Sequence, residues 1–520
     1  GSHTIKAVAY NSDGDHSEDS VTVTVNNQQS QLPVLSTNRD RLVFKAVPHG
    51  HGHLVTRPQL LLIRISDKAD SQWSISTDAD WLSTVPQSGN GSHLVLVNAD
   101  PTGKTPGTYS DSLTITAPDT SNVTVTVDVH LIIREKNTSE PPFGSIDSPV
   151  DGSRAIDDIP ISGWALDDIE VKSVTVYRDP VGSEGSSLVY VGEAVIVDGA
   201  RPDVEDRYPD YPLNYQTGWG YLLKTDSLPN KGHGTFTFYA KTTDKEGNTV
   251  TLGSKTITID KTKAVKPFGA IDRLTEKTTA AGPELVSYGW ALTPRPNTIP
   301  GDGSTITVWV DGLAIGNPVF SQHKKDIARL FPGYNNSLKA GGYFTLNTTA
   351  YTNGIHTLAW SVKDDAGNIN GIDSRYFSIT NTVEPVITTP QRMAVKNLED
   401  LGQISPRYNE PVFVKKGYKP VRKIEALLPD EKGISRITIK ELERVELEFG
   451  NNIAAAWGYL VVDGRLRDLP TGSTLDYESG RFSWSPGPGY LGEYPMVFVL
   501  KDTAGQYTRT FIQVSIEPKY

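Results

Sequence analysis

Three groups of side chains in this sequence have the types and spacing that chemistry needs. The first is Pro48-His49-Gly50-His51-Gly52-His53. Alternate residues of an extended segment share one face, so His49, His51 and His53 could chelate zinc or nickel. Gly50 and Gly52 loosen the segment, and no carboxylate adjoins it to orient a ring. That favours an exposed loop between two strands, with adventitious metal affinity at most. The second group is acidic. Asp157-Asp158 and Asp167-Asp168 flank the segment around Trp164, and an insert at 198–221 carries Asp198, Asp203, Glu205, Asp206 and Asp210 among Tyr208, Tyr211, Tyr215 and Tyr221. Hard cations want several oxygens, so calcium is the one cofactor these acids suggest. The candidate ligands are Asp157, Asp158, Asp167, Asp168, Asp203 and Asp206. The alternative is solvated turns, and a crossover loop packed on its own sandwich by tyrosine and proline. The third group is aromatic. Trp81, Trp219 and Tyr221, with Trp309 and Tyr343, could stack on sugar rings or could fill cores.

Catalytic constellations are not visible. No Gly-x-Ser-x-Gly elbow precedes a helix, and no glycine-rich phosphate loop follows a strand. Acids abound, but no pair can be singled out as the flanking carboxylates of a glycosidase. Cysteine is absent, which removes disulfides, thiolate metal sites and cysteine nucleophiles. The net charge of −11 leaves no basic field for nucleic acid. No apolar run approaches the roughly 20 residues of a membrane helix. The reading is therefore of a non-enzyme without a nucleic-acid partner or a membrane span in this segment.

The elements that must position these groups are strands. Glycine (46) and proline (34) punctuate threonine-, serine- and valine-rich stretches, the composition of short strands joined by turns. One hairpin occurs four times, at 3–25, 234–259, 356–379 and 494–516. Each copy has a turn of the form Asp/Asn-x-x-Gly-Asn/Asp/Gln, with glycines Gly14, Gly247, Gly367 and Gly505. Aligning them brings the inward positions into register: Ile5/Ala7/Ala9, Phe238/Ala240/Thr242, Leu358/Trp360/Val362 and Met496/Phe498/Leu500. After the turn come Val21/Val23/Val25, Ile257/Ile259, Phe377/Ile379 and Ile512/Val514/Ile516. A period of two means one buried face, and a hairpin returning at this spacing closes one β-sandwich after another.

The fold expected is all-β: serial immunoglobulin-like β-sandwiches in an extended multidomain chain. Residues 1–27 are a terminal hairpin of a truncated immunoglobulin-like domain, since an isolated hairpin is marginal in water. The chain is thus expected to continue upstream of residue 1, with any export signal there. His3-Thr4 matches His356-Thr357, which favours native sequence at the start.

Residues 33–134 form the next unit, with strands at 42–46, 59–65, 73–76, 93–97, 112–116 and 123–133. Trp73-Ser74-Ile75, Asp80-Trp81-Leu82, Pro86, Ser88-Gly89 and Gly107-Thr108-Tyr109 follow in that order. This unit resembles BACON-type domains, an immunoglobulin-like family of extracellular bacterial proteins. The resemblance implies either a spacer or a carbohydrate- or mucin-binding module, with Trp81 as a sugar platform or as a core plug.

Residues 141–261 and 266–381 are two related domains. Pro142-Phe143-Gly144 matches Pro267-Phe268-Gly269, and Gly163-Trp164-Ala165-Leu166 matches Gly289-Trp290-Ala291-Leu292. Tyr208-Pro209-Asp210-Tyr211 matches Phe331-Pro332-Gly333-Tyr334. The pair resembles tandem immunoglobulin-like domains of large bacterial surface proteins, which implies no known activity. The second copy has Pro294-Arg295 where the first has Asp168-Ile169, so any metal site there is not shared.

Residues 391–517 form the last domain. Leu469-Pro470-Thr471-Gly472, Gly480-Arg481-Phe482-Ser483-Trp484-Ser485-Pro486 and Gly492-Glu493-Tyr494 resemble the cadherin-like, immunoglobulin-type family of bacterial surface proteins. Before them, 438–449 alternates and reads as strand, although Glu441 and Glu443 share the parity of Ile439, Val445, Leu447 and Phe449.

The function expected is a non-catalytic extracellular segment of a large bacterial cell-surface protein: a stalk, an adhesin, or a filament or surface-layer building block. Short proline-containing linkers between sandwiches suggest a semi-rigid rod. The partners expected are other copies of the chain, other surface proteins, and glycans. The alternative is an array of carbohydrate-binding modules attached to an upstream secreted enzyme.

Overall fold

The computed structural model describes residues 2–24, 32–65, 70–260, 265–272, 279–280, 282, 284–381, 401–418 and 424–520. Val25, the inter-unit stretches 26–31 and 382–390, and the start of the last domain at 391–400 lie outside these residues. The chain is all-β, and its sheets pair off into four sandwiches after a lone hairpin.

The fourfold hairpin forms each time. Strands Ser2–Tyr10 and His16–Thr24, Gly234–Asp244 and Thr249–Ile259, Gly354–Lys363 and Ile369–Ile379, and Gly492–Asp502 and Tyr507–Glu517 pair antiparallel. The turns explain why. Gly14, Gly247, Gly367 and Gly505 hold φ between +83° and +98°, where a side chain would be strained. The leading Asn11, Asp244, Asp364 and Asp502 accept backbone N–H groups of the turn at their own Oδ1. In the last three copies the inward residues are cores: Phe238, Trp360 and Met496 are all buried. The first copy differs. Among the described residues its strands pair only with each other, and Ile5 and Val21 are 60% and 57% exposed.

Residues 35–133 build a four-stranded sheet against a six-stranded one. The six expected strands are present, and the structure adds Leu35–Thr37, Gly52–Val55, Leu82–Val85 and Ser88–Asn90, which are short enough to escape a periodicity reading. The two related domains share one topology. Each has a four-stranded sheet and a five-stranded sheet with strands in the same order, and each has a bulge at the same place in its closing hairpin, Ala240/Lys241 and Trp360/Ser361. The last sandwich combines six strands with five. Its 438–449 segment is not one strand. Ile434–Lys440 pairs parallel with Tyr507–Glu517, the chain turns at Leu442 (φ +65°), and Val445–Glu448 joins the opposite sheet.

The linkers suggested sandwiches strung along a rod. The structure instead folds them back on one another, because the seams between them bury hydrogen bonds and ion pairs that free linkers would leave in water. The last sandwich touches all three others. Tyr494 Oη donates to the Ala200 carbonyl (2.5 Å), Tyr376 Oη donates to the Pro488 carbonyl (2.9 Å), and Arg64 pairs with Asp468 (2.6 Å). The apolar core of the last sandwich takes in Val197, Ala200 and Tyr376 from its neighbours.

Candidate functional site

Strand ends and hairpins of three sandwiches enclose a cavity of about 450 Å³. The first related domain supplies Asp157, Asp158, Leu222 and Asp226. The second supplies Phe268, Phe331, Tyr334, Asn370 and Asp373, and the last sandwich supplies Tyr418, Glu441, Glu443 and Lys519. Each wall follows from local structure. The strands Gly218–Leu223 and Ile369–Ile379 reach the cavity at Leu222 and at 369–373. Helix α2 (Lys325–Leu330) ends at Phe331, which packs on Phe268 (5.2 Å between ring centres) and Trp290 (5.4 Å). Tyr418 lies over Gly371, where a Cβ would stand 2.6 Å from its ring, so only glycine admits this approach.

Several charges of the wall are paired within the protein. Lys224 bridges Asp158 (3.1 Å) and Asp373 (2.8 Å), and Lys519 pairs with Asp157 (2.7 Å). Burial alone would raise the Asp373 carboxyl, but Lys224, Arg375 and the Ile271 N–H hold it below its ordinary value. Glu441 has no such cation at contact. Burial pushes it up to about 7, although the Ser148 and Ser162 hydroxyls both donate to it. Tyr418 is likewise pushed up to about 12 by burial.

The structure scatters the other residues singled out from the sequence. His49 ends strand Arg41–His49 and His53 lies in Gly52–Val55, with exposed His51 at the turn between them. Among the described residues no group of three or more His, Asp or Glu side chains is placed to hold a metal ion. Asp167 caps the N–H groups of Ile169 and Glu170 (2.8 and 2.7 Å), and burial pushes it up to about 7. Asp168 meets Arg134 (2.9 Å), and Asp203 meets Arg201 (2.7 Å). Asp206 accepts the backbone N–H of Asp463. Of the six acids, only Asp157 and Asp158 reach the cavity. Trp81 and Trp219 are 6% and 0% exposed and belong to sandwich cores, so neither offers a platform to a sugar. Tyr221 lies across Gly192 and donates to the Val191 carbonyl (3.3 Å). Trp309 donates to Ser361 (2.8 Å) and stands edge-on to Tyr418 (5.4 Å).

The insert 198–221 is a bridge. Helix α1 (Pro202–Arg207) and the loop after it lie between sandwiches. Asp210 pairs with Arg41 (2.7 Å), Asp198 stands 3.9 Å from Arg39, and Glu205 stands 3.8 Å from Arg467. Arg39 also covers the Tyr215 ring at 3.2 Å. Asp198, Glu205 and Asp210 are thus met by arginines of the neighbouring domains, and Asp203 by Arg201 of its own.

Several wall residues carried little warning. Glu441 did carry one: an acid on the parity of Ile439 and Val445 must either face water or be held by partners. Asp373 likewise shares the parity of Phe377 and Ile379. Asp226 and Tyr418 stand in segments without a period, Asn370 is off the inward parity of its strand, and tertiary folding brings them together.

A family model described as a viral BACON domain matches residues 61–129. The second unit is a BACON-like sandwich. The match covers that sandwich alone and not the chain. No curated protein sequence matches. Among solved structures, the fibronectin(III)-like modules of Clostridium thermocellum CbhA align at 17% identity, over 46% of this chain and 95% of that one, with a TM-score of 0.16. The human desmocollin-1 ectodomain aligns at 9% identity, over 100% and 86%, with a TM-score of 0.17. The titin I-band fragment I67–I69 aligns at 10% identity, over 68% and 98%, with a TM-score of 0.15. Likenesses this low carry no argument about what the chain does. Among the described residues no helix is long and apolar enough to cross a membrane.

Proposed function

We propose that the chain is a non-catalytic structural segment of an extracellular surface protein, serving as a stalk, an adhesin or a building block of a filament or layer. The observation that carries this reading is the set of seams. Four β-sandwiches are clasped by buried interdomain bonds such as Tyr494 to Ala200 and Ser162 to Glu441, which makes a firm body of modules that would otherwise swing. The BACON-like sandwich supports an outward-facing role. The family model that matches it is described as viral, and the proposal therefore takes in the surface of a virus particle beside that of a bacterial cell. The partners proposed are further copies of the chain and other surface proteins.

The test is immunogold labelling of intact native cells or particles with antibody to this chain, followed by electron microscopy. Labelled stalks, filaments or a regular layer support the proposal. Label that appears only after lysis contradicts it.

A further inference from the structure

The cavity where three sandwiches meet has the chemistry of a binding site, and we infer that it takes a neutral saccharide of one or two rings. Its volume of about 450 Å³ falls within the size range of small-molecule sites. It is a joint product: none of the three sandwiches forms it alone. The wall offers two kinds of surface side by side. The half-buried Phe268 and Tyr334, backed by buried Phe331, form an aromatic wall. Asp226, Glu443 and the Asn370 amide supply polar atoms around it. Carboxylates accept hydrogen bonds from hydroxyl groups, and aromatic rings pack against the C–H faces of a pyranose.

The ion pairs of the wall weigh against a charged ligand. Asp158 and Asp373 share Lys224, and Asp157 holds Lys519. At the exposed mouth, Lys440 pairs with Glu517 (2.9 Å) and Lys416 stands 3.8 Å from Glu425. A charged ligand would have to compete with these pairs or be desolvated without a partner of its own, whereas a polyol does neither. This inference goes beyond the surface role and does not depend on it. The platform expected at Trp81 and Trp219 plays no part.

The experiment is saturation-transfer NMR on the full chain with cellobiose, maltose, lactose and N,N′-diacetylchitobiose, and with glucuronate as an anionic probe. It is repeated on Tyr334→Ala and Asp226→Asn. The expected result is saturation by at least one neutral disaccharide with a Kd of about 1 mM or tighter, weakened about tenfold or more by either variant. Two variants are used so that a folding defect in one leaves the other to report, with melting temperature as the check. Binding unchanged in variants that fold would place the sugar elsewhere and overturn the proposal. Preference for glucuronate would overturn its neutral class. No signal from any neutral probe at about 10 mM would overturn the site itself.

Discussion

The two related sandwiches have the same strands in the same order and both touch the last sandwich, yet it covers the four-stranded sheet at Ser162 and Gly220 of the first and leaves Tyr288 exposed at the matching place in the second. The difference lies in one cross-strand pair. In the first copy Ser162 stands opposite Gly220; in the second, the residues before and after the matching Gly-Trp register are Tyr288 opposite Tyr343. The small pair leaves a bare sheet face. The Pro488-Gly489 turn of the last sandwich presses onto Gly220, where a Cβ would stand 2.3 Å from the Gly489 nitrogen, and Ser162 donates to Glu441. The tyrosine pair stacks on itself at 6.1 Å, and Tyr288 stays 40% exposed. The crossovers diverge in the same way. Both tie a short helix back to the sheet through an ion pair, Arg201 to Asp147 and Lys324 to Asp272, both at 2.5 Å. Only the first then meets arginines of other domains. Topology sets the sandwich, and a few side chains on its outer face set what it docks.

The strongest way to break this comparison is to write the second copy into the first. Gly220→Tyr should undock the last sandwich, raising the Stokes radius while each sandwich stays folded. Size-exclusion chromatography with light scattering reads this, and an unchanged radius would refute the docking role of that face. Next comes the pair of anchors. Arg201 is nearly buried between the half-exposed Asp147 and Asp203, so Arg201→Ala should cost about 2 kcal/mol through its lost charge-assisted hydrogen bonds. Lys324→Ala in the second copy should cost about 1 kcal/mol or less, since that pair is more exposed. Urea unfolding compares the two.

A pH effect sharpens the comparison further. Burial raises the Glu441 pKa in the fold from its ordinary 4.5 to about 7, so the folded, docked state favours the protonated carboxyl. Its contribution is fully present below pH 4.5 and is lost as pH rises through 7. Asp167 acts in the same direction, with its upper limit also at about 7. Glu441→Gln should therefore flatten, without abolishing, the fall in melting temperature between about pH 5 and 7. An identical slope in the variant would show that Glu441 is not the group responsible. The smallest expected effect is that of metal removal. The acids proposed for calcium are met by Lys224, Lys519, Arg134, Arg201 and backbone N–H groups, so EDTA should leave the Stokes radius and melting temperature unchanged. A marked fall would restore a calcium role.

The repeated hairpins and the paired domains were legible because each is local. A turn glycine, a leading Asp or Asn and a period of two are read within about 25 residues. The cavity was mostly illegible for the opposite reason. Asp158, Asp373 and Glu441 come from three sandwiches, and no spacing rule joins them. The insert at 198–221 lies between these cases. Its acids and tyrosines were conspicuous, but their partners Arg39, Arg41 and Arg467 sit in distant segments, so a solvated acidic loop and a bridge look alike in sequence. The rod suggested by the linkers fell to the same blindness, because linker composition says how far domains could separate and not whether their faces attract.

The central claim is that the last sandwich folds back onto the others, and one cross-link tests it most directly. The chain has no cysteine, so Arg64→Cys with Asp468→Cys adds the only two thiols, at a pair whose native side chains meet at 2.6 Å across two sandwiches. A short bismaleimide should close that pair within a single chain in high yield and leave the product monomeric. Failure to close, or closure only between separate chains, would contradict the docked arrangement and return the molecule to an open string of sandwiches.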